Sequence, residues 1–196
     1  MQSIAVFCGS SPGLNPIYTE ATKKLGESMA EQDITLVYGA GNVGLMGVVA
    51  DAALSKNGKV IGTIPQFLVD KEVAHYGISE LIITETMHER KQKMVDVAEG
   101  IIVLPGGIGT LDEFFEMFTW QQLGLHEKPI GILNVNGYYD HIIAHINHMV
   151  QEGFLKDFHG DRIMVDENPV QLITKMKGQK IEYVDKWWKT GKQDEQ

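Results

Sequence analysis

The chain has 196 residues, 43% apolar and 22% charged, a formal net charge of −9 and a single cysteine, Cys8. That length suits one domain with its own core, and the acidic balance argues against a broad nucleic-acid or anionic-membrane surface, although a local pocket can still hold a small anion. One cysteine excludes an intramolecular disulfide and a cysteine-based zinc site, no basic leader opens the chain, and no apolar run approaches the roughly 20 residues that span a bilayer, so a cytoplasmic protein is expected.

In chain order, Ile4–Phe7 is expected to be a strand, followed by the small-residue turn Cys8-Gly-Ser-Ser-Pro-Gly13. A helix from about Pro16 to Gln32 sets Tyr18, Ala21, Leu25, Met29 and Ala30 on one side. Ile34–Tyr38 is a second strand, Gly39–Gly44 a glycine turn, Leu45 to about Lys56 a helix, and Val60–Ile64 a third strand closed by Pro65. After an irregular stretch from Gln66 to Ser79 come a strand at Leu81–Thr84 and a charged helix at Met87–Val97. Ile101–Leu104 is a fifth strand, followed by a helix to about Leu123, then a sixth strand at Ile130–Leu133. Helices are expected at Tyr138–Gln151 and Pro169–Lys177, with an edge strand at Ile181–Val184. Trp187-Trp188 either covers a partner surface or packs a terminal segment. Alternating strands and helices predict an α/β fold: a single-domain, Rossmann-like, doubly wound parallel sheet with helices on both faces. The domain is expected over residues 1–188, with a polar tail at 189–196.

The stretch Glu99–Glu116 carries the strongest functional signal. Its apolar run ends in Pro105-Gly106-Gly107-Ile108-Gly109, where three residues of five lack a Cβ and a ligand can approach the backbone. From Thr110, Leu111, Phe114, Phe115 and Phe118 recur at helical spacing, with Asp112, Glu113 and Glu116 between them. Strand, glycine turn and helix N-terminus together aim free N–H groups and a positive dipole end at an anion. The acidic side chains, expected in the first turn of this helix, place carboxylates beside that anion. The combination points to chemistry on a phosphorylated substrate.

Other motifs are weaker. Gly39-Ala-Gly41-Asn-Val-Gly44 matches G-x-G-x-x-G, but it follows the second strand and lacks the acidic residue about 20 positions on, so a nicotinamide dehydrogenase is not expected. Its glycines, like Ser10 in the first turn, serve either the turn alone or a phosphate or ribose. His88-Glu89-Arg90-Lys91, after Met87, is either a solvated face or a basic cluster that opposes a helix dipole and calls for an anion, which Arg90 could hold bidentately. His141, His145 and His148 flank the buried side of a helix and are not expected to hold a metal. Cys8 is read as a packing residue.

Pro105-Gly-Gly-Ile-Gly-Thr-Leu-Asp-Glu113 resembles the PGGxGTxxE signature of the LOG ("lonely guy") family, the cytokinin-activating nucleoside 5′-monophosphate phosphoribohydrolases. Met87–Lys91 resembles the family's second signature at the right distance upstream. The likeness extends through Phe7–Ser11, Tyr38–Gly47, Thr119–Gly124 and Lys128–Tyr139. The resemblance implies hydrolysis of the N-glycosidic bond of AMP or an N6-prenylated AMP, with no cofactor and no metal, by a homodimer. It implies that Arg90 and Glu113 form the catalytic pair. Lys91 and the turn Gly106, Gly107, Ile108, Gly109, Thr110, with Leu111 and Asp112 beyond it, would hold the nucleotide, and Thr119 and Glu72 would complete the pocket. Glu116, one turn beyond Glu113, is the competing carboxylate. Two other readings stand beside this one: a nucleotide-binding carrier or sensor on the same fold, and a pyridoxal-phosphate lysine decarboxylase, for which Lys91 is the only lysine beside the pocket.

Overall fold

The structure is a computed structural model that describes residues 1–69, 71 and 74–179. Seven parallel strands, β1 (Ser3–Phe7), β2 (Thr35–Tyr38), β3 (Val60–Pro65), β4 (Glu80–Thr84), β5 (Gly100–Val103), β6 (Ile130–Leu133) and β7 (Ile163–Asp166), form one sheet. Their order is β4-β3-β2-β1-β5-β6-β7, so the winding reverses at β1. In register, Ile4 and Val6 lie beside Leu36 and Tyr38 on one side of β1 and beside Gly100 and Ile102 on the other.

Period-two alternation divides the strand residues between two cores. Ile4, Val6, Leu36, Tyr38, Ile102 and Leu104 face α1 (Pro16–Glu31), α2 (Gly44–Ser55) and α8 (Pro169–Gly178). Ala5, Phe7, Val37, Ile101 and Val103 face α4 (Met87–Val97), α5 (Ile108–Gln122) and α6 (Asp140–Gln151). Each fully buried Leu, Ile or Phe among them contributes about 1.5–3 kcal/mol. Short helices α3 (Gln66–Val69) and α7 (Asp157–Gly160) complete the described elements.

The doubly wound parallel sheet is as expected, and the differences are in detail. The strand β7 was not anticipated: its apolar core is only Ile163, Met164 and Val165, half-buried at the sheet edge, a pattern too short to stand out. Helix α5 begins at Ile108 rather than Thr110, so its first turn holds no acidic residue and Asp112 and Glu113 stand in the second. A short 3-10 turn, Val135–Gly137, precedes α6, which begins at Asp140 rather than Tyr138. The edge strand expected at 181–184, Trp187-Trp188, the tail and Glu72 lie outside the described residues.

In such sheets ligands bind beyond the carboxyl ends of the strands, where the winding reverses. Here the turns after β1, β2 and β5 meet at that place and are tied together. Gly9 N–H donates to Pro105 O at 3.0 Å, Leu45 N–H donates to Gly9 O at 3.0 Å, and Leu104 N–H donates to Phe7 O at 2.9 Å. Gly44 sits at φ +60°, and a Cβ there would meet the Ser10 carbonyl carbon at 2.2 Å, so this contact between turns requires glycine.

Candidate active site

A cleft of about 370 Å³ opens at the junction of the three turns. Ser10 from the first turn, Gly39 from the second and Gly107, Ile108, Gly109 and Thr110 from the third line it. Arg90 from α4, and Asp112 and Glu113 from α5, complete the polar part of its wall, beside Met87.

Arg90 reaches this wall because its helix starts at the carboxyl edge, where the Thr86 side chain caps it by accepting the Glu89 N–H at 3.1 Å. The residue is only 8% exposed and its guanidinium is committed on three sides. Nε donates to Thr63 O at 3.1 Å, Nη2 to Gly39 O at 3.4 Å, and Nη1 to Glu113 Oε1 at 3.2 Å. Two carbonyls, those of Gly39 just after β2 and Thr63 within β3, therefore aim Arg90 at Glu113, and these bonds engage three of the five guanidinium N–H donors. Gly39 has to be glycine for this arrangement, since a Cβ would lie 2.0 Å from Arg90 Nη2.

Burial pushes the Glu113 carboxyl up to about 7, against the pull of the Arg90 guanidinium and the Lys91 ammonium. A buried carboxylate with one charged partner, poised near neutrality in a cleft, has the properties of a general base or a charge stabiliser. Lys91 pairs with other carboxylates: its Nζ lies 2.5 Å from Glu116 Oε2 and 3.3 Å from Asp112 Oδ2. Burial works against the Lys91 charge, but those two carboxylates outweigh it and hold the ammonium above its usual value.

The glycine turn separates structural from open positions. At Gly106 a Cβ would meet Thr110 Oγ1 at 2.2 Å, whereas at Gly107 and Gly109 it would meet nothing within 4 Å. Alanine inside a helix is favoured over glycine by about 1 kcal/mol, so a glycine at position 109 with empty space around it forgoes stability that packing does not require. Space kept free at the uncapped N-terminus of α5 suits a ligand that takes up the orphan N–H groups.

Several residues named from sequence lie off the cleft. Thr119 donates its hydroxyl to Phe115 O at 2.7 Å on the outer side of α5, and with Leu111 and Glu116 it lines an adjoining groove of about 540 Å³ that shares Ile108 and Asp112 with the cleft. Gly41 packs on Met46, and Gly44 serves the turn contact described above. Conversely, Cys8, Met46 and Leu68 line the cleft, and sequence patterning does not mark the last two because both read as ordinary core residues. The Cys8 thiol is pushed far up by burial first and by Glu113 second, so it stays protonated. His141, His145 and His148 are exposed on α6 while Ile146 is buried.

Comparison with known proteins gives consistent results. The family model described as "Possible lysine decarboxylase" matches residues 46–176. A cytokinin riboside 5′-monophosphate phosphoribohydrolase of Rhodococcoides fascians is 43% identical over 165 residues, covering 84% of this chain and 83% of the relative. A protein of the same description from Arabidopsis thaliana is 42% identical over 180 residues, covering 92% of this chain and 83% of the relative. Among solved structures, the molybdenum cofactor carrier protein of Chlamydomonas reinhardtii superposes with a TM-score of 0.67 over 90% of this chain and 98% of that one. At 14% identity that likeness shows the fold alone.

Proposed function

The chain belongs to the LOG family of phosphoribohydrolases, and on that membership we propose that it hydrolyses the N-glycosidic bond of a nucleoside 5′-monophosphate to free base and ribose 5-phosphate. The observation that carries this reading is the buried Arg90–Glu113 pair facing the open glycine turn. With the 5′-phosphate on the N–H groups of Gly107–Thr110, the ribose lies against the wall that Glu113 belongs to. Breaking the bond between base nitrogen and C1′ develops positive charge on the sugar, which an adjacent carboxylate stabilises. Glu113 also serves the incoming water: the water oxygen bonds to C1′, its proton passes to the carboxylate, and the base leaves with the bonding pair and takes up a proton. Arg90 acts by orienting Glu113 and by favouring its ionised form.

AMP and its N6-isopentenyl analogue, the latter suggested by the relatives' substrate, are the first substrates to try. Chromatographic release of free base from either is the expected result. No base from any purine monophosphate would overturn the reading, and the ratio of the two turnovers identifies the preferred base. The decarboxylase reading fares badly on charge, because Schiff-base formation needs a neutral amine and two carboxylates hold Lys91 protonated. We further propose a cytoplasmic homodimer formed through the outer face of α5. Its grooves share Trp120, and Ile108 and Leu125 stand 82% and 67% exposed there.

A further inference from the structure

We propose that Tyr138 is a positioning residue for the 5′-phosphate, acting through the backbone of the glycine turn rather than on the substrate; this rests on the phosphate site proposed above. Three successive carbonyls of that turn are each held from outside. Tyr139 Oη donates to Leu104 O at 2.6 Å, Gly9 N–H donates to Pro105 O at 3.0 Å, and Tyr138 Oη donates to Gly106 O at 2.7 Å. A trans peptide sets its N–H opposite its C=O, so fixing a carbonyl fixes the direction of the next residue's N–H. The bond to Gly106 O thereby sets the Gly107 N–H, and Gly107 lines the cleft whereas Tyr138 does not.

The two tyrosines differ in what else they do. Tyr139 is 1% exposed and belongs to the core, with its N–H held by Asn134 Oδ1 at 2.8 Å. Tyr138 is 42% exposed, and its ring is held edge-on by Tyr18 at 5.6 Å and by Tyr139 at 5.0 Å. Burial therefore does not account for the Tyr138 hydroxyl, and among the described residues its polar partner is the turn carbonyl. Pre-aiming the N–H before the anion arrives removes an ordering cost from binding.

The test is calorimetric binding of two probes, ribose 5-phosphate and adenosine, to the wild type and to Tyr138→Phe. The variant should bind ribose 5-phosphate about fivefold more weakly, the scale of one net hydrogen bond, with adenosine affinity unchanged. The ratio of the two affinities is insensitive to any loss of folded protein, which weakens both probes equally. Tyr18→Phe, which removes a hydroxyl from the neighbouring ring without touching the turn, should leave the ratio as it is. An unchanged ratio in Tyr138→Phe, or no binding of ribose 5-phosphate by the wild type, overturns the proposal. Wild-type protein that binds ribose 5-phosphate but releases no base from AMP removes the hydrolytic reading and leaves this one standing.

Discussion

Glu113 works under opposed demands: the chemistry needs its carboxylate, while the burial that strengthens its field resists ionisation. With the carboxyl at about 7, kcat/KM for the monophosphate should climb as pH rises through about 7 and level off above it. A flat profile between pH 5 and 8 would move the role elsewhere. The same shift has a stability consequence of opposite sign. The folded carboxyl sits above its ordinary value of 4.5, so the folded state binds the proton more tightly than the unfolded chain does. Its contribution to stability is complete below about 4.5 and is lost as pH rises through about 7. Glu113→Gln should remove that part of the pH dependence in denaturant titrations, keep nucleotide binding, and lower kcat by about 10²- to 10⁴-fold. Retained turnover would shift attention to Glu116, which is held by Lys91 outside the cleft. At this scale the sequence marked Arg90 and Glu113, because their motifs fall at carboxyl-edge turns. It did not give the pairing of Lys91 with Asp112 and Glu116 or the place of Thr119 in the adjoining groove, because which side of a helix meets which neighbour is set by packing.

At the scale of elements, two glycine positions give contrasting expectations. Gly109→Ala should leave the fold intact, stabilising α5 by up to about 1 kcal/mol in a thermal melt. It should also raise KM for the monophosphate about tenfold, since the new methyl group occupies the ligand's space. Gly39→Ala should instead displace Arg90, whose Nη2 would be 2.0 Å from the added carbon, and lower kcat together with stability, the latter by about 1–3 kcal/mol. If both variants lose stability alike, the space at Gly109 is structural rather than reserved. Strand–turn–helix units were legible from their change of period, whereas β7 was not. An edge strand with three apolar residues signals itself only through its register against β6.

For the whole molecule, the proposed dimer predicts a sedimenting species of twice the chain mass. Leu125, exposed in the single chain, offers a clean test. Leu125→Glu should yield monomers while changing the stability of the fold by no more than about 0.5 kcal/mol. Wild-type protein that sediments as a monomer at micromolar concentration would remove the dimer from the account. No described helix is long and apolar enough to cross a membrane, so the apolar surface of α5 is not a membrane span.

The sequence by itself determined the alternation of strands and helices, the three glycine turns and the two signatures that carry Arg90 and Glu113. These are local properties, written in the spacing of apolar residues and in positions where a Cβ is missing. Only the tertiary structure decided that Arg90 bonds two carbonyls and one carboxylate, that Lys91 pairs with Asp112 and Glu116 while Thr119 lines the adjoining groove, and that tyrosines after β6 pin the turn after β5. Those relations join residues 23 to 51 positions apart in the case of Arg90, and 32 and 35 apart for the tyrosines. They exist only once the sheet has set its strand order, because hydrogen-bond direction depends on the path of the backbone and not on residue spacing.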